Sequence, residues 1–173
     1  MRLSGTYTLD APRSAVWPRI FDPTSLASLI PGCQRLERVS AGEYRGQLLV
    51  WLSAVNGAYE TYVKVEDQSE PDHCNFRGEV TGPTGAISGT AAFTLQALDD
   101  KTLLDYQAEG IVTGALGKLN ARFLEGVAHT LIHQGLGKLN AELLAQQAPV
   151  ASADAVIGVE PSPVYHYVYY PFG

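Results

Sequence analysis

The stretch Ile87-Ser88-Gly89-Thr90-Ala91-Ala92-Phe93-Thr94-Leu95-Gln96-Ala97-Leu98 decides the fold. It closes the longest uncharged run in the chain, Val80 to Leu98, whose nineteen residues would reach across a bilayer as a helix. Gly82, Pro83, Gly85 and Gly89 interrupt that run, however, and from Ile87 onward large or apolar residues alternate with Ser88, Thr90, Thr94 and Gln96. A period of two is the signature of a strand, not of a spanning helix. Asp99-Asp100 then supplies a turn, and Leu103 to Val112 alternates again, with Leu104, Tyr106 and Ala108 set against Asp105, Gln107 and Glu109. Together the two segments predict an antiparallel hairpin, apolar on one face and wet on the other.

Five more segments carry the same alternation: Leu3 to Leu9, Gln34 to Val39, Tyr44 to Ala54, Ala58 to Asp67 and Cys74 to Val80, which makes seven strands in all. Ala41-Gly42, Asn56-Gly57, Glu70-Pro71-Asp72 and Gly82-Pro83 punctuate them. Asn56-Gly57 is the most specific of these signals, because both residues tolerate positive φ, and it predicts a two-residue type I′ hairpin. By parity, Tyr44, Leu48, Val50, Leu52, Tyr59, Val63 and Val65 point inward, as do Cys74, Phe76, Ile87, Phe93 and Leu95. Arg45, Gln47, Glu60, Lys64 and Arg77 take the opposite face.

A sheet wet on one side needs a lid on the other. Leu116 to Gln146 predicts that lid, a helix of about eight turns with Leu119, Phe123, Val127, Leu131, Leu139 and Leu143 forming its apolar stripe. Gly135 and Gly137 predict a bend or bulge near Leu136. Between the first two strands, two short helices are expected. One starts at Pro12 and carries Val16, Trp17 and Phe21, with Pro18 required in its first turn; the other carries Leu26, Leu29 and Ile30 and stops at Pro31-Gly32. The class is α+β. Leu116-Gly117-Lys118-Leu119-Asn120-Ala121 recurs as Leu136-Gly137-Lys138-Leu139-Asn140-Ala141, and two copies are too few for a solenoid.

The 173 residues suit one domain, 1–147, followed by a Pro-rich linker and aromatic tail, 148–173. Hydrophobic residues at 46% and charged residues at 17% supply a core and exclude a disordered chain. A net charge of -6 with no Lys or Arg cluster argues against nucleic acid as a partner. Cys33 and Cys74 are too few for a disulfide framework and read as free, buried thiols. Met1 to Asp10 has no apolar signal-peptide core, so a cytoplasmic location is expected.

No phosphate-binding loop, dinucleotide fingerprint or nucleophile elbow is present in the sequence. The inward parity does carry many small residues: Gly46, Ala54, Thr61, Gly78, Gly89, Ala91, Ala108 and Gly110. They either leave an apolar cavity or simply let the sheet curve. The cavity reading predicts walls made of Leu29, Leu48, Val50, Phe76, Phe93, Tyr106, Phe123, Val127 and Leu131. Glu125, His129 and His133 share one helix flank, but an exposed polar stripe explains them without a metal, and neither metal nor cofactor is expected. Trp51, on the outward parity, predicts an exposed apolar patch or a covered edge or dimer contact.

The order strand, two short helices, six strands and long helix resembles the START-like (SRPBCC) helix-grip fold, a curved sheet wrapped around its last helix. Leu3-Ser4-Gly5-Thr6-Tyr7, Ala11-Pro12-Arg13 with Val16-Trp17, Asp22-Pro23, Leu26 and above all Ile30-Pro31-Gly32-Cys33 are similar to the CoxG family of carbon monoxide dehydrogenase subunits. The likeness continues through Gly85 to Phe93 and covers about the first 147 residues. It implies a non-enzymatic accessory protein that binds a hydrophobic molecule, a quinone or a lipid, and links a molybdenum hydroxylase to the membrane or to its electron acceptor. Peripheral contact with the inner face of the membrane is part of that expectation. Direct anchoring is not, since the aromatic tail is too short to span.

Two other readings stay open. Tyr165, Tyr167, Tyr169 and Phe172 lie in a tail too aromatic for a solvating segment, and could dock on a partner enzyme, on another copy of the chain or in the cavity itself. A small cyclase or hydrolase would need Asp105, Glu109 or His129 as its acid or base, and parity sends both carboxylates outward.

Overall fold

Residues 1–147 are described by the computed structural model. β1 (Arg2–Leu9) leads into α1 (Arg13–Phe21) and α2 (Pro23–Leu29). β2 (Cys33–Ser40), β3 (Glu43–Val50), β4 (Gly57–Ser69), β5 (His73–Gly82), β6 (Gly85–Leu98) and β7 (Lys101–Thr113) follow, and α3 (Ala121–Gln147) closes the described chain. The strands form one seven-stranded sheet in the order β1-β7-β6-β5-β4-β3-β2, every neighbour antiparallel. Register shifts in β2 and between Val65 and Asp67 of β4 break the regular pleat. The predicted seven strands, two short helices and long helix are all present, and the curved sheet grips α3.

The helix pair connects opposite edges of the sheet, because β1 and β2 are its two outermost strands. Asp22 caps α2, its carboxylate accepting the Ser25 N–H at 2.8 Å, with Pro23 at the first helical position. Pro18 is the sixth residue of α1 rather than part of its first turn, and its ring faces solvent.

Three local expectations are corrected. β3 ends at Val50, and a 3-10 turn over Ser53–Val55 carries the chain to β4, so Asn56-Gly57 is not a two-residue hairpin. Asn56 has φ -65, and Gly57 alone is left-handed at φ 146. The turn is held from outside: the Tyr59 hydroxyl donates to the Val55 carbonyl at 2.9 Å and also contacts the Thr84 hydroxyl, while Val55 is buried. Leu52 and Ala54 therefore leave the inward face and are exposed. The long helix begins at Ala121 rather than Leu116, after a 3-10 turn over Gly114–Lys118, and the Asn120 side chain starts it by accepting the Arg122 N–H at 2.8 Å. Third, α3 runs through Gly135 and Gly137 without interruption. A Cβ at Gly135 would come within 3.1 Å of the Leu29 carbonyl oxygen, so this glycine lets α2 approach α3.

The core falls into two clusters. Leu9, Val16, Trp17, Cys74, Leu95 and Leu104 anchor the larger one, closed by Leu139 and Leu143 of α3. Val55, Tyr59, Leu116 and Leu124 form the smaller one at the other end. The apolar stripe read from the sequence is therefore split: Leu139 and Leu143 are 2% and 1% exposed, whereas Phe123 is 45% exposed. A two-way polar lock reinforces the buried end. Asn140 Nδ2 donates to the Asp10 carboxylate at 2.9 Å, and the Asp10 backbone N–H donates to Asn140 Oδ1 at 2.7 Å.

This asymmetry predicts a contrast in stability. Leu143→Ala should lower the free energy of urea unfolding by about 2–5 kcal/mol, the range for emptying a filled core site, and Phe123→Ala by less than about 1 kcal/mol. Equal losses would mean that Phe123 is packed as tightly as Leu143. The lock adds a pH signature. The Asn140 hydrogen bond, and after it Lys101 at 2.9 Å, hold the Asp10 carboxyl below the usual carboxylate range. Its stabilisation is present above the unfolded value of about 3.9 and disappears as pH falls through the lower folded value. Between pH 6 and pH 2 the native protein should lose more stability than Asp10→Asn; parallel curves would remove the lock from the acid response.

Candidate functional site

α3 packs against β1 and α2. On the side of the helix facing the end of β3, a cleft of about 700 Å³ remains open. One wall is the outer part of the helix stripe, Phe123, Val127 and Leu131; the other is Pro31-Gly32 and the segment Leu49 to Leu52. Arg122, Thr130 and Gln134 supply the polar side chains of the lining. The volume is that of a site for a small organic molecule, and an apolar lining with few polar groups is the usual composition of one.

The second wall owes its position to the Ile30-Pro31-Gly32-Cys33 element. The Ile30 N–H closes α2 on the Leu26 carbonyl at 3.0 Å, and Gly32 turns the chain at φ 78. The Gly32 carbonyl then accepts the Leu49 N–H at 2.8 Å. A side chain at Gly32 would collide with the Leu49 carbonyl oxygen, so glycine is required both by the turn and by the close approach. The turn is in this way tied to the end of β3, and the next three residues project into and around the cleft. Trp51 is 74% exposed there.

Of the nine residues expected to form cavity walls, Val50, Phe123, Val127 and Leu131 are brought together at the cleft. Leu29, Phe93 and Tyr106 lie in the larger core cluster with Phe76 packed against it, and Leu48 packs on the smaller cluster. Parity cannot distinguish these environments, because a core residue and a cleft residue share the same inward face. Trp51, Leu52, Pro31 and Gly32 were not among the expected wall residues. The available signal was the apolar run Leu48 to Leu52, unbroken where a half-wet strand should alternate. A dish of about 790 Å³ on the outer sheet face is lined by small, polar and charged residues such as Ser4, Thr90, Ala92, Gln107 and Glu109, with Leu3 its one large apolar side chain.

The alternative chemistry finds little support in the geometry. Glu125 accepts the Arg2 N–H at 3.2 Å, and His129 stacks on His133 with centroids 4.2 Å apart, so the three do not converge. Among the described residues no group of three His, Cys, Asp or Glu side chains is placed to hold a metal. Glu109 pairs with Arg2 at 3.7 Å on the exposed face. Asp105 is half-buried and belongs to the outward parity, away from the cleft lining. Tyr165, Tyr167, Tyr169 and Phe172 lie outside the described residues, as does the whole segment 148–173. No helix among the described residues is long and apolar enough to cross a membrane.

Comparison with known proteins places these features in a family context. The profile of the carbon monoxide dehydrogenase G subunit (CoxG) matches residues 5–144. No curated protein matches the chain. A conserved protein from Geobacillus kaustophilus superposes with a TM-score of 0.81 at 27% identity, over 84% of this chain and 97% of its own. A START superfamily protein from Mycobacterium smegmatis gives 0.64 at 12% identity, over 84% and 98%. The Zhui aromatase/cyclase from Streptomyces sp. R1128 gives 0.59 at 19%, over 90% and 99%. The last two likenesses show the fold alone.

Cys33, next to the cleft turn, is half-buried rather than fully buried, and burial raises its thiol above the ordinary range. Cys74 is fully buried, and desolvation with the nearby Asp67 charge pushes it up to about 11. Iodoacetamide should therefore alkylate Cys33 slowly at pH 7.5 and faster as pH rises past 9, and reach Cys74 only on unfolding. Rapid labelling of Cys33 at neutral pH would instead reveal an activated nucleophile and favour an enzyme.

Proposed function

The chain belongs to the CoxG family of carbon monoxide dehydrogenase subunits, and from that premise we propose that it is a non-enzymatic accessory protein whose cleft carries a hydrophobic small molecule, a quinone or a lipid. The observation that carries this reading is the unburied half of the α3 stripe. Phe123, Val127 and Leu131 face Val50, Trp51 and Leu52 across open space, whereas Leu139 and Leu143 of the same helix are fully packed. An apolar guest there would remove both walls from water, at about 25 cal/mol for each Å² of apolar surface covered.

The family's name suggests the partner: a molybdenum hydroxylase of carbon monoxide dehydrogenase type, to which the carrier would bring a molecule from, or return it to, the cytoplasmic face of the membrane. Trp51 and Leu52, exposed at the cleft, are suited to touch either the enzyme or the lipid surface during transfer. The cyclase alternative is less well supported, because Arg122, Thr130 and Gln134, the polar side chains at the cleft, include neither a carboxylate nor an imidazole to serve as general base. Docking without cargo, through the tail or between two copies, would use Tyr165, Tyr167, Tyr169 and Phe172 and would leave the cleft unexplained.

Solvent extraction of the purified protein followed by mass spectrometry should release a quinone or lipid. Val127→Trp and Leu131→Trp, which fill the cleft, should weaken binding of a short-chain quinone or an apolar fluorescent probe at least about tenfold, the order expected when a ligand loses a buried apolar wall. A wild-type protein that binds neither probe, or filled variants that bind as well as wild type, would defeat the carrier reading. Removal of residues 161–173 should leave probe binding in place if the tail serves a partner, strengthen it if the tail occupies the cleft, and abolish enzyme association only in the first case.

A further inference from the structure

α3 brings two adjacent rows of residues to the cleft. Phe123, Val127 and Leu131 form an apolar row, and Arg122, Gly126, Thr130 and Gln134, again four apart, form a second row beside it. At 1.5 Å per residue the second row extends about 18 Å along the helix, so the floor of the cleft is elongated. Arg122 is the single charged residue of the lining, and no carboxylate accompanies it.

Two members of the second row have no use within the described residues. The chain holds eight arginines. Four of them pair with carboxylates, two donate to neutral oxygens and one lies over the Tyr62 ring. Among the described residues the Arg122 side chain alone has no such partner, although the chain carries eighteen acidic residues against twelve basic ones. Glu125, three residues on, turns to β1 instead and accepts the Arg2 N–H at 3.2 Å. The other member is Gly126. A Cβ at Gly135 would meet the Leu29 carbonyl oxygen at 3.1 Å, and one at Gly137 would meet the Tyr7 hydroxyl at 3.6 Å, whereas one at Gly126 would meet nothing within 4 Å. Glycine weakens a helix interior relative to alanine, so Gly126 gives up helix stability and leaves a gap on the cleft side. The Thr130 hydroxyl donates to the Gly126 carbonyl at 2.9 Å, which leaves the Arg122 guanidinium as the free charged donor beside that gap.

We propose that Arg122 binds the acidic head group of a single-chain lipid, whose chain crosses the gap at Gly126 and lies along Phe123, Val127 and Leu131. This rests on the carrier reading of the cleft and selects among its ligands: a hydrocarbon chain ending in a carboxylate or a phosphate, rather than a neutral ester or a quinone. The reason is complementarity at one end of an apolar floor. A guanidinium offers a planar fork of donors that carboxylate and phosphate oxygens accept two at a time, with charge assisting, whereas a neutral carbonyl accepts only an ordinary hydrogen bond. Arg122 is exposed at the rim, so the head group keeps its contact with water while the hydrocarbon alone is desolvated. The cost of burying an ion does not arise.

Four probes of similar chain test this: dodecanoate, dodecyl phosphate, methyl dodecanoate and a decyl-substituted benzoquinone, titrated into the full chain and into Arg122→Gln, Arg122→Lys and Gly126→Leu. Wild type should bind one or both acids more tightly than the ester and the quinone, and added salt should weaken the acids alone. Arg122→Gln should weaken acid binding roughly three- to fivefold, the upper end for an exposed ion pair. It should leave the neutral probes and the melting temperature unchanged, and Arg122→Lys should recover part of the loss. Whichever acid responds names the head group. Gly126→Leu should melt at or above wild type, because leucine is the better helix former and has room there, yet weaken binding of the acids by filling the gap. If the ester or the quinone binds, but the acids bind no more tightly or do not respond to Arg122→Gln, the head-group assignment is overturned and the carrier reading stands. Acid binding that survives Gly126→Leu intact overturns it as well. If none of the four probes binds wild type, both readings fall.

Discussion

The structure depends on how α3 is gripped along its length: Leu124 near its start packs in the smaller core cluster, while its last turns are locked into the larger one. Leu139 and Leu143 disappear into the larger core, and Asn140 exchanges hydrogen bonds with Asp10 in both directions, so the last two turns are fixed in depth, in register and in rotation about the helix axis. Successive stripe residues four apart advance by about 400°, which drifts the apolar line about 40° around the helix at each step. A stripe aimed into the core at Leu143 must therefore have rotated well away from it by Phe123. The cleft lies where this drift leaves Phe123, Val127 and Leu131 opposite Pro31-Gly32 and the end of β3.

The repeated hexapeptide shows how much of this the sequence could reveal. Leu116-Gly117-Lys118-Leu119-Asn120-Ala121 forms a 3-10 turn and a helix start, with Asn120 capping its own helix; Leu136-Gly137-Lys138-Leu139-Asn140-Ala141 is helix throughout, with Asn140 reaching a different element. Identical local propensities give two conformations, because the first copy follows directly on β7 and the second has turns of helix already formed before it. The strands, by contrast, were legible to within about two residues apart from the end of β3, since period-two alternation is written locally and does not depend on what lies opposite. The β3–β4 connection was not. Asn56-Gly57 has the composition of a tight hairpin, but a hydrogen bond from Tyr59 to Val55 and the burial of Val55 hold a longer turn that no pair of residues announces.

The site was legible in part for the same reason. Inward parity separates wet from dry; it does not separate filled from unfilled. Phe93 and Phe123 carry equal apolar weight in the sequence, and they diverge only because aromatic neighbours at Trp17, Phe21 and Phe76 surround the former.

An open cleft also has a kinetic meaning. A guest sealed in a closed cavity could leave only when part of the domain unfolds, and the cost of that opening would be set by the same core that holds Leu139 and Leu143. A guest in the cleft would lie against Phe123, Val127 and Leu131 rather than against Leu139 and Leu143, so loading and release would not draw on the stability of the larger cluster. Rates of exchange would then be governed by the apolar area covered. For the proposed carrier, affinity would be moderate, because one flank of a guest would still face Trp51 and the solvent beyond it. That is the balance a carrier requires: enough burial to lift a water-insoluble molecule from its source, and little enough that an acceptor with a more enclosed site can take it away.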